Sequence, residues 1–433
     1  MKTNFNFYSR LFDKLFPIPR SIMGDGYRDS LKIISKYIPF KIYKFNSGKK
    51  IFDWKVPYEW KIKKGTLKNK FGVKLCDFEK NNISIVNYSS KIKKRSSFKS
   101  IKKNIFTLKQ FPNLTPYVTS YYYKNWGFCL PYKIFKKLKN KDILDAEIDS
   151  KYVKGSVDLG IKILKGKSKK AILISTYLCH PSMANNELSG PLVIIGLYNY
   201  LLNIKNRKFT YIFLINPETI GSLCFLSKFK NFIKKNIFSG FVLTGLGGKR
   251  KLNYKLTKNN ESFVDRLFKN LYRHKLVNIR QFDPTVGSDE RQYNSPGFNL
   301  PIGQLSKLVY GSYKEYHTDG DKKNVMGIKN ILESVDQITK IVSLIELAGK
   351  INRKMPYGEI FLSKYNFYPK INFTQKEFKQ RKSKTTKLIL QILSYADGSK
   401  DIIDIAEICN LPVTDYVEPI RLLKEKKLIK FKV

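Results

Sequence analysis

The chain has 433 residues, 42% hydrophobic and 14% aromatic, enough for two or three domains with true cores and unlike a disordered polypeptide. Lys and Arg outnumber Asp and Glu by 82 to 34, for a formal net charge of +48, but the lysines are spread through every segment. Their joint enrichment with Asn, Ile, Phe and Tyr reads as compositional drift, so charge alone does not argue for nucleic acid, anionic lipid or an acidic substrate.

The N-terminal "MKTNFNFYSRLFDKLFPIPR" lacks the apolar core and small-residue cleavage site of a signal peptide, and no apolar run approaches the ~18 residues of a membrane span. The five cysteines (76, 129, 179, 224 and 409) form no close pair, as expected of reduced thiols in a cytoplasmic protein. Residues 26–37 carry helical periodicity through Leu31, Ile33, Ile34 and Tyr37. Residues 50–110 instead alternate in short Val, Ile, Tyr and Trp runs broken by Gly, Pro and Asn, which predicts a small β-rich insertion over 49–119.

From about residue 155 strands and helices alternate. "KAILISTYL" (170–178), "FTYIFLIN" (209–216) and "GFVLTGL" (240–246) read as buried strands, with a further short strand near "LPIGQL". Helices are expected over 190–204, 261–276 and about 324–349. This alternation predicts an α/β domain with a mainly parallel sheet over residues 1–48 and 120–370. The basic stretch 372–387 reads as a linker or helix start. Residues 380–433 read as three short helices and a terminal strand, a winged-helix module. Its would-be recognition helix, "VTDYVEPIRLLKEKK" (413–427), carries Asp415, Glu418 and Pro419 in its first turns, where base edges would be met. Protein contact is therefore expected of it rather than DNA readout.

In open α/β sheets ligands bind beyond the carboxyl ends of the strands. After the first strand come His180, Asn185, Asn186 and Glu187; after the second, Glu218; after the third, Thr244 and a run of glycines. Later loops hold Asp289, Glu290 and Arg291, then Glu315, Tyr316, His317 and Asp321. Two of the three histidines thus share one sheet edge with several carboxylates, while His274 falls in a helix. Imidazole plus carboxylate on open loops is how catalytic zinc is held, and Asp321 is placed to fix the His317 tautomer.

"STYLCHPSMANNELSGP", "NPETIGS", "GSDERQY" and "EYHTDGD" together resemble a bacterial aminopeptidase-like family, a branch of the zinc aminopeptidase and glutaminyl cyclase superfamily often associated with surface-polysaccharide biosynthesis. The resemblance runs from about residue 20 to the C-terminal module. It implies a phosphorylase/hydrolase-like mixed sheet with helices on both faces, a small β-rich insertion and a C-terminal winged helix. It carries metal-ligand roles onto His180 and His317, with one carboxylate, Glu187 or Glu218, completing the site. It gives catalytic roles to Glu218, as general base, and to Asp289. The superfamily's bridging Asp falls on Asn186, and its third-strand acid falls where this chain has Thr244 to Gly248, so one zinc per chain is expected rather than two.

The expected activity is zinc-dependent hydrolysis of an amide or peptide, with Asn186, Arg291, Tyr316 and Trp126 meeting the substrate and Asp321 behind the ligands. A catalytically inactive scaffold or binding protein on the same fold is the alternative.

Overall fold

The computed structural model describes residues 4–368 and 381–432, so the core of the basic stretch 372–387 lies outside the described residues. The chain divides into two compact units, residues 1–258 with 281–337, and residues 259–280 with 338–433.

The first unit is built on a mixed sheet. Its strands are β1 (Lys41–Asn46), β2 (Ser156–Leu164), β3 (Ala171–Tyr177), β4 (Thr210–Asn216), β5 (Ile237–Leu243), β6 (Asn253–Lys255) and β7 (Ile302–Ser306), in the spatial order β1-β2-β4-β3-β5-β7-β6. β4, β3, β5 and β7 run parallel, while β1, β2 and β6 add antiparallel flanks. The sequence predicts the parallel centre, whose β3 and β4 are buried at every residue, as strands covered on both faces must be. β1 escapes the pattern because its side chains alternate weakly and most are exposed.

A second, four-stranded sheet joins Glu59–Asn69, Lys74–Asp77, Ile92–Ser97 and Ile143–Val153. It draws its long central strand from beyond residues 49–119, because "ILDAEIDSKYV" alternates buried and half-buried positions against both neighbours. Only Lys154 and Gly155 separate that strand from β2. A Cβ on Gly155 would meet Glu59 Oε2 at 2.3 Å, and Glu59 is buried in an ion pair with Arg28 at 2.7 Å.

After β3 the chain makes a single π-helical turn, Ala184–Leu188, before the helix Ser189–Leu202. This irregularity is pinned from outside. Asp321 accepts the Asn185 and Asn186 backbone N–H groups at 2.8 Å each, and Ser189 Oγ accepts the Leu246 N–H at 3.0 Å. Gly190 lets the helix start touch the sheet: an added Cβ would lie 2.1 Å from Thr176 Oγ1 and 2.5 Å from the Leu243 carbonyl.

In the second unit a helix, Phe263–Arg273, opens with a Ser262–Asp265 capping box. Its Arg266 binds Asp401 at 2.9 Å and Asp404 at 2.6 Å, holding it to the helix Ile402–Ile408. Strands Lys350–Arg353 and Ile429–Lys432 pair antiparallel beside the helix Val417–Glu425. In that helix the exposed Glu418 pairs with Arg421 at 2.6 Å, while Asp415, in the 3-10 turn just before it, pairs with Lys384 at 2.8 Å.

Gly190→Ala is expected to destabilise the first unit by roughly 3 kcal/mol, at the top of the range for overpacking, because one clash is with backbone. Differential scanning calorimetry checks this, and an unchanged transition would show that the helix start can move away from β5.

Candidate functional site

The carboxyl ends of β3, β4 and β5 deliver His180, Glu218 and Thr244 to one edge of the sheet. His180 is buried, and its Nδ1 lies 2.7 Å from Glu187 Oε2 and 3.5 Å from Cys179 Sγ. With Nδ1 engaged by that carboxylate, Nε2 is left facing the cleft, 3.7 Å from Glu218 Oε2. Behind the pair, fully buried Arg20 donates from Nε to the His180 carbonyl at 2.9 Å and from Nη1 to the Leu15 carbonyl at 2.6 Å.

His317 arrives from the loop after β7. Its ring centroid lies 5.4 Å from that of His180, and Tyr316 stacks on it. The β-rich insertion holds this loop in place: Tyr117 N–H donates to the His317 carbonyl at 2.8 Å, and Thr115 N–H donates to Asp319 at 2.9 Å. Tyr117 thereby comes to face both imidazoles, at 5.3 Å from His180 and 5.7 Å from His317.

The two imidazoles are driven apart in protonation. Burial works against charge on His180, but the neighbouring Cys179 and Glu187 outweigh it and hold this residue well above the ordinary histidine range. Burial, and then the His180 charge, push His317 down to about 3, leaving the neutral ring that metals bind. Burial also raises Glu218 above the ordinary carboxylate range, against the pull of His180.

Glu218 is aimed by a strained turn. Thr219 has φ +62° and ψ −72°, and Ile220 N–H donates to the Glu218 carbonyl at 2.7 Å, the rare γ-turn in its strained form. For a β-branched residue this costs about 1–3 kcal/mol and needs support from its surroundings. Asp289 supplies that support. One carboxylate oxygen accepts Thr219 N–H at 2.7 Å and Ser222 Oγ at 3.0 Å, and the other accepts Asn216 Nδ2 at 2.8 Å. Burial and then the Glu218 charge push Asp289 up to about 7. The adjacent Ser288 donates its hydroxyl to Glu218 Oε1 at 2.5 Å. Glu290 is fully buried in an ion pair with Lys255 at 3.0 Å, anchoring the loop from below.

The sequence-expected residues thus fall into groups. His180, Glu187, Glu218 and His317 come together, with Tyr316 against His317. Asp289 lies beneath Glu218. Asp321 bonds the backbone of Asn185 and Asn186, so its carboxylate serves the turn rather than His317. Asn186 is buried, with Oδ1 3.4 Å from Tyr177 Oη. Arg291 donates Nε to the Ser288 carbonyl of its own loop at 3.3 Å. Trp126 packs with Phe128 in the core of the small sheet, because its run is apolar on the side facing Phe98 and Leu144. Thr244 hydrogen-bonds Tyr177 Oη at 2.5 Å. Cys179, Arg20, Tyr117 and Tyr121 were not identified from sequence. Their signal was weak because three come from segments far from the strand ends, and Cys179 was read only as a thiol.

Among the described residues one group of donors lies close enough together to take a metal. Cys179 Sγ, His180 Nδ1 and a Glu187 oxygen lie within 4.8 Å of one another, fully buried. His180 Nε2, His317 and Glu218 instead face open space. A pocket of about 140 Å³ lined by His180, Glu218, Tyr121, Tyr122 and Trp54 opens on this side, and a larger one of about 610 Å³ runs past Tyr117, Tyr316 and His317. A catalytic zinc needs a position open to water and substrate, which this buried group does not offer by itself.

Residues 9–348 match the family described as a domain of unknown function, DUF4910, and residues 350–431 match a winged helix-turn-helix family. A Clostridium acetobutylicum protein named as a polysaccharide biosynthesis protein with an aminopeptidase-like domain is 36% identical over 402 residues, 92% of this chain and 89% of the relative. The crystal structure of a protein described as a peptidase, also from Clostridium acetobutylicum, matches at a TM-score of 0.88 and 33% identity, covering 99% of this chain and 96% of that one. The zinc aminopeptidase BSAP of Bacillus subtilis shares the fold at a TM-score of 0.54 and 10% identity, over 77% of this chain and 92% of that one. Among the described residues no helix is long and apolar enough to cross a membrane.

Asp289→Ala leaves three donors without their acceptor and releases the γ-turn, an expected loss on the order of 3 kcal/mol. Calorimetry reads it, and a wild-type transition would mean the turn stands without the carboxylate.

Proposed function

Starting from the fact that this chain belongs to the DUF4910 family and carries a winged-helix module at its C-terminal end, we propose that it is a mononuclear zinc-dependent amide hydrolase acting in surface-polysaccharide biosynthesis. The observation that carries this reading is His180 Nε2 at 3.7 Å from Glu218 with the His317 ring centroid 5.4 Å from that of His180, the first two lining one cavity and His317 another. The biological setting follows the name of the Clostridium relative.

His180 and His317 would hold the ion, with His180 giving up the proton that Cys179 and Glu187 favour, and Glu187 fixing its ring so that Nε2 is presented. Zinc bound there would supply Lewis acidity to an amide carbonyl and to a water used near neutral pH. Glu218 accepts the proton at its free carboxylate oxygen, while Ser288 fixes the other oxygen and Asp289 keeps the turn that aims it. Tyr316 and Tyr117 wall the cleft around the imidazoles and narrow the approach of the scissile bond.

A second reading, a binding protein without catalysis, draws on Asn186 and Thr244. A carboxamide and a hydroxyl stand where the resembled superfamily supplies acids, and both are occupied with Tyr177.

Elemental mass spectrometry of tag-free protein is expected to find about one zinc per chain, lost in the His180→Ala/His317→Ala double variant. No uptake after adding zinc would leave the binding-protein reading standing. Glu218→Gln should keep its zinc and lose about 10²–10⁴-fold in amide hydrolysis, the usual worth of a general base. Loss of zinc together with activity would make Glu218 a ligand instead.

A further inference from the structure

The cavities around His180 are poor in negative charge. Among the described residues lining the 140 Å³ pocket, the 610 Å³ cleft and a third groove of about 590 Å³, Glu218 is the sole carboxylate. A site that grips the ammonium of a peptide N-terminus needs an acid for it, and Glu218 is already engaged by Ser288 and faces His180. The cationic side chains that face these spaces are Lys314 in the large cleft and Lys55 and Lys124 in the third groove.

The third groove adjoins the site, since Tyr121 and Tyr122 line both it and the His180 pocket. Its lining is unusually aromatic. Tyr58, Tyr122 and Tyr123 stand 55%, 48% and 65% exposed, Tyr152 forms the far wall, and Trp54 packs edge-on against Tyr122 at 5.2 Å. Large rings left in water along a concave surface cost free energy unless a ligand covers them. Lys55 and Lys124 are exposed beside them, with no carboxylate in the groove to neutralise either.

We infer that this groove binds an anionic carbohydrate chain, a run of sugar rings bearing carboxylates, and leads its acylamino group to His180 and Glu218. The flat ring faces suit the C–H faces of pyranoses, the phenol hydroxyls suit their hydroxyl groups, and the two lysines suit the carboxylates. This deepens the proposed hydrolase reading and rests on it for the direction in which the chain runs. Binding itself does not depend on that reading.

Isothermal titration calorimetry on the full chain, stripped of metal with a chelator, tests the groove apart from any catalysis. The probe is a hyaluronan tetrasaccharide, which alternates carboxylated and N-acetylated rings. The neutral N-acetylglucosamine tetramer and a tetraglutamate peptide serve as comparisons. The hyaluronan probe is expected to bind at least tenfold more tightly than either. The Lys55→Ala/Lys124→Ala double variant should weaken it about tenfold or more, and Tyr123→Ala severalfold. Lys70→Ala, outside the groove, should leave it unchanged. Absence of binding overturns the inference, as does wild-type affinity in the groove variants. Equal affinity for tetraglutamate overturns it in favour of an acidic peptide. Hyaluronan binding without any zinc uptake would retain the groove and remove the hydrolase.

Discussion

The candidate site depends on one buried carboxylate that touches no cleft. Asp289 accepts hydrogen bonds from three groups on and after β4, among them the backbone N–H of a threonine in a conformation such residues avoid. Without that acceptor the chain after Asn216 has an easier path, and Glu218 loses its direction. The loop that carries Asp289 is held in turn by the buried Lys255–Glu290 pair, whose ammonium also binds the carbonyls of Asp283 and Val286. A hydrogen-bonded chain of this kind is costly to disturb at any member, because each broken contact leaves a buried polar group exposed to nothing.

Charge in the site is arranged by the same economy of space. Two imidazoles with centroids 5.4 Å apart oppose each other's charge in a buried setting, and Cys179 and Glu187 favour charge on His180 while burial disfavours it on His317. Arg20 stands behind that carboxylate, so cation, anion and imidazole succeed one another from the interior towards the cleft. His317 is left neutral and oriented by backbone contacts to the insertion, which explains why the insertion belongs to the site even though none of its residues was expected there.

Much of this was legible in the sequence. Fully apolar runs gave away β3, β4 and β5, and the rule that ligands gather beyond strand ends led directly to His180 and Glu218. The motifs also marked Asp289 and His317. What escaped did so for physical reasons. β1 pairs antiparallel at the sheet's flank with only Phe45 buried, too weak a pattern to stand out, and Trp126 was placed in the cleft because an aromatic gives no sign in the sequence of which side it packs. Asp321 lies four residues after His317, a spacing that suggests a partnership, but the chain turns between them and the carboxylate meets Asn185 and Asn186 instead. Tyr117 and Tyr121 could not be foreseen, since only the fold brings residues 115–121 against residue 317.

The join between Ile143–Val153 and β2 is two residues long. A linker that short transmits orientation instead of absorbing it, so the small sheet cannot swing as a flap over the cleft without bending a strand already hydrogen-bonded on both sides. Access is therefore governed at the scale of single side chains. Within that frame the side chains lining the cleft, Tyr117, Tyr316 and His317 among them, set its width.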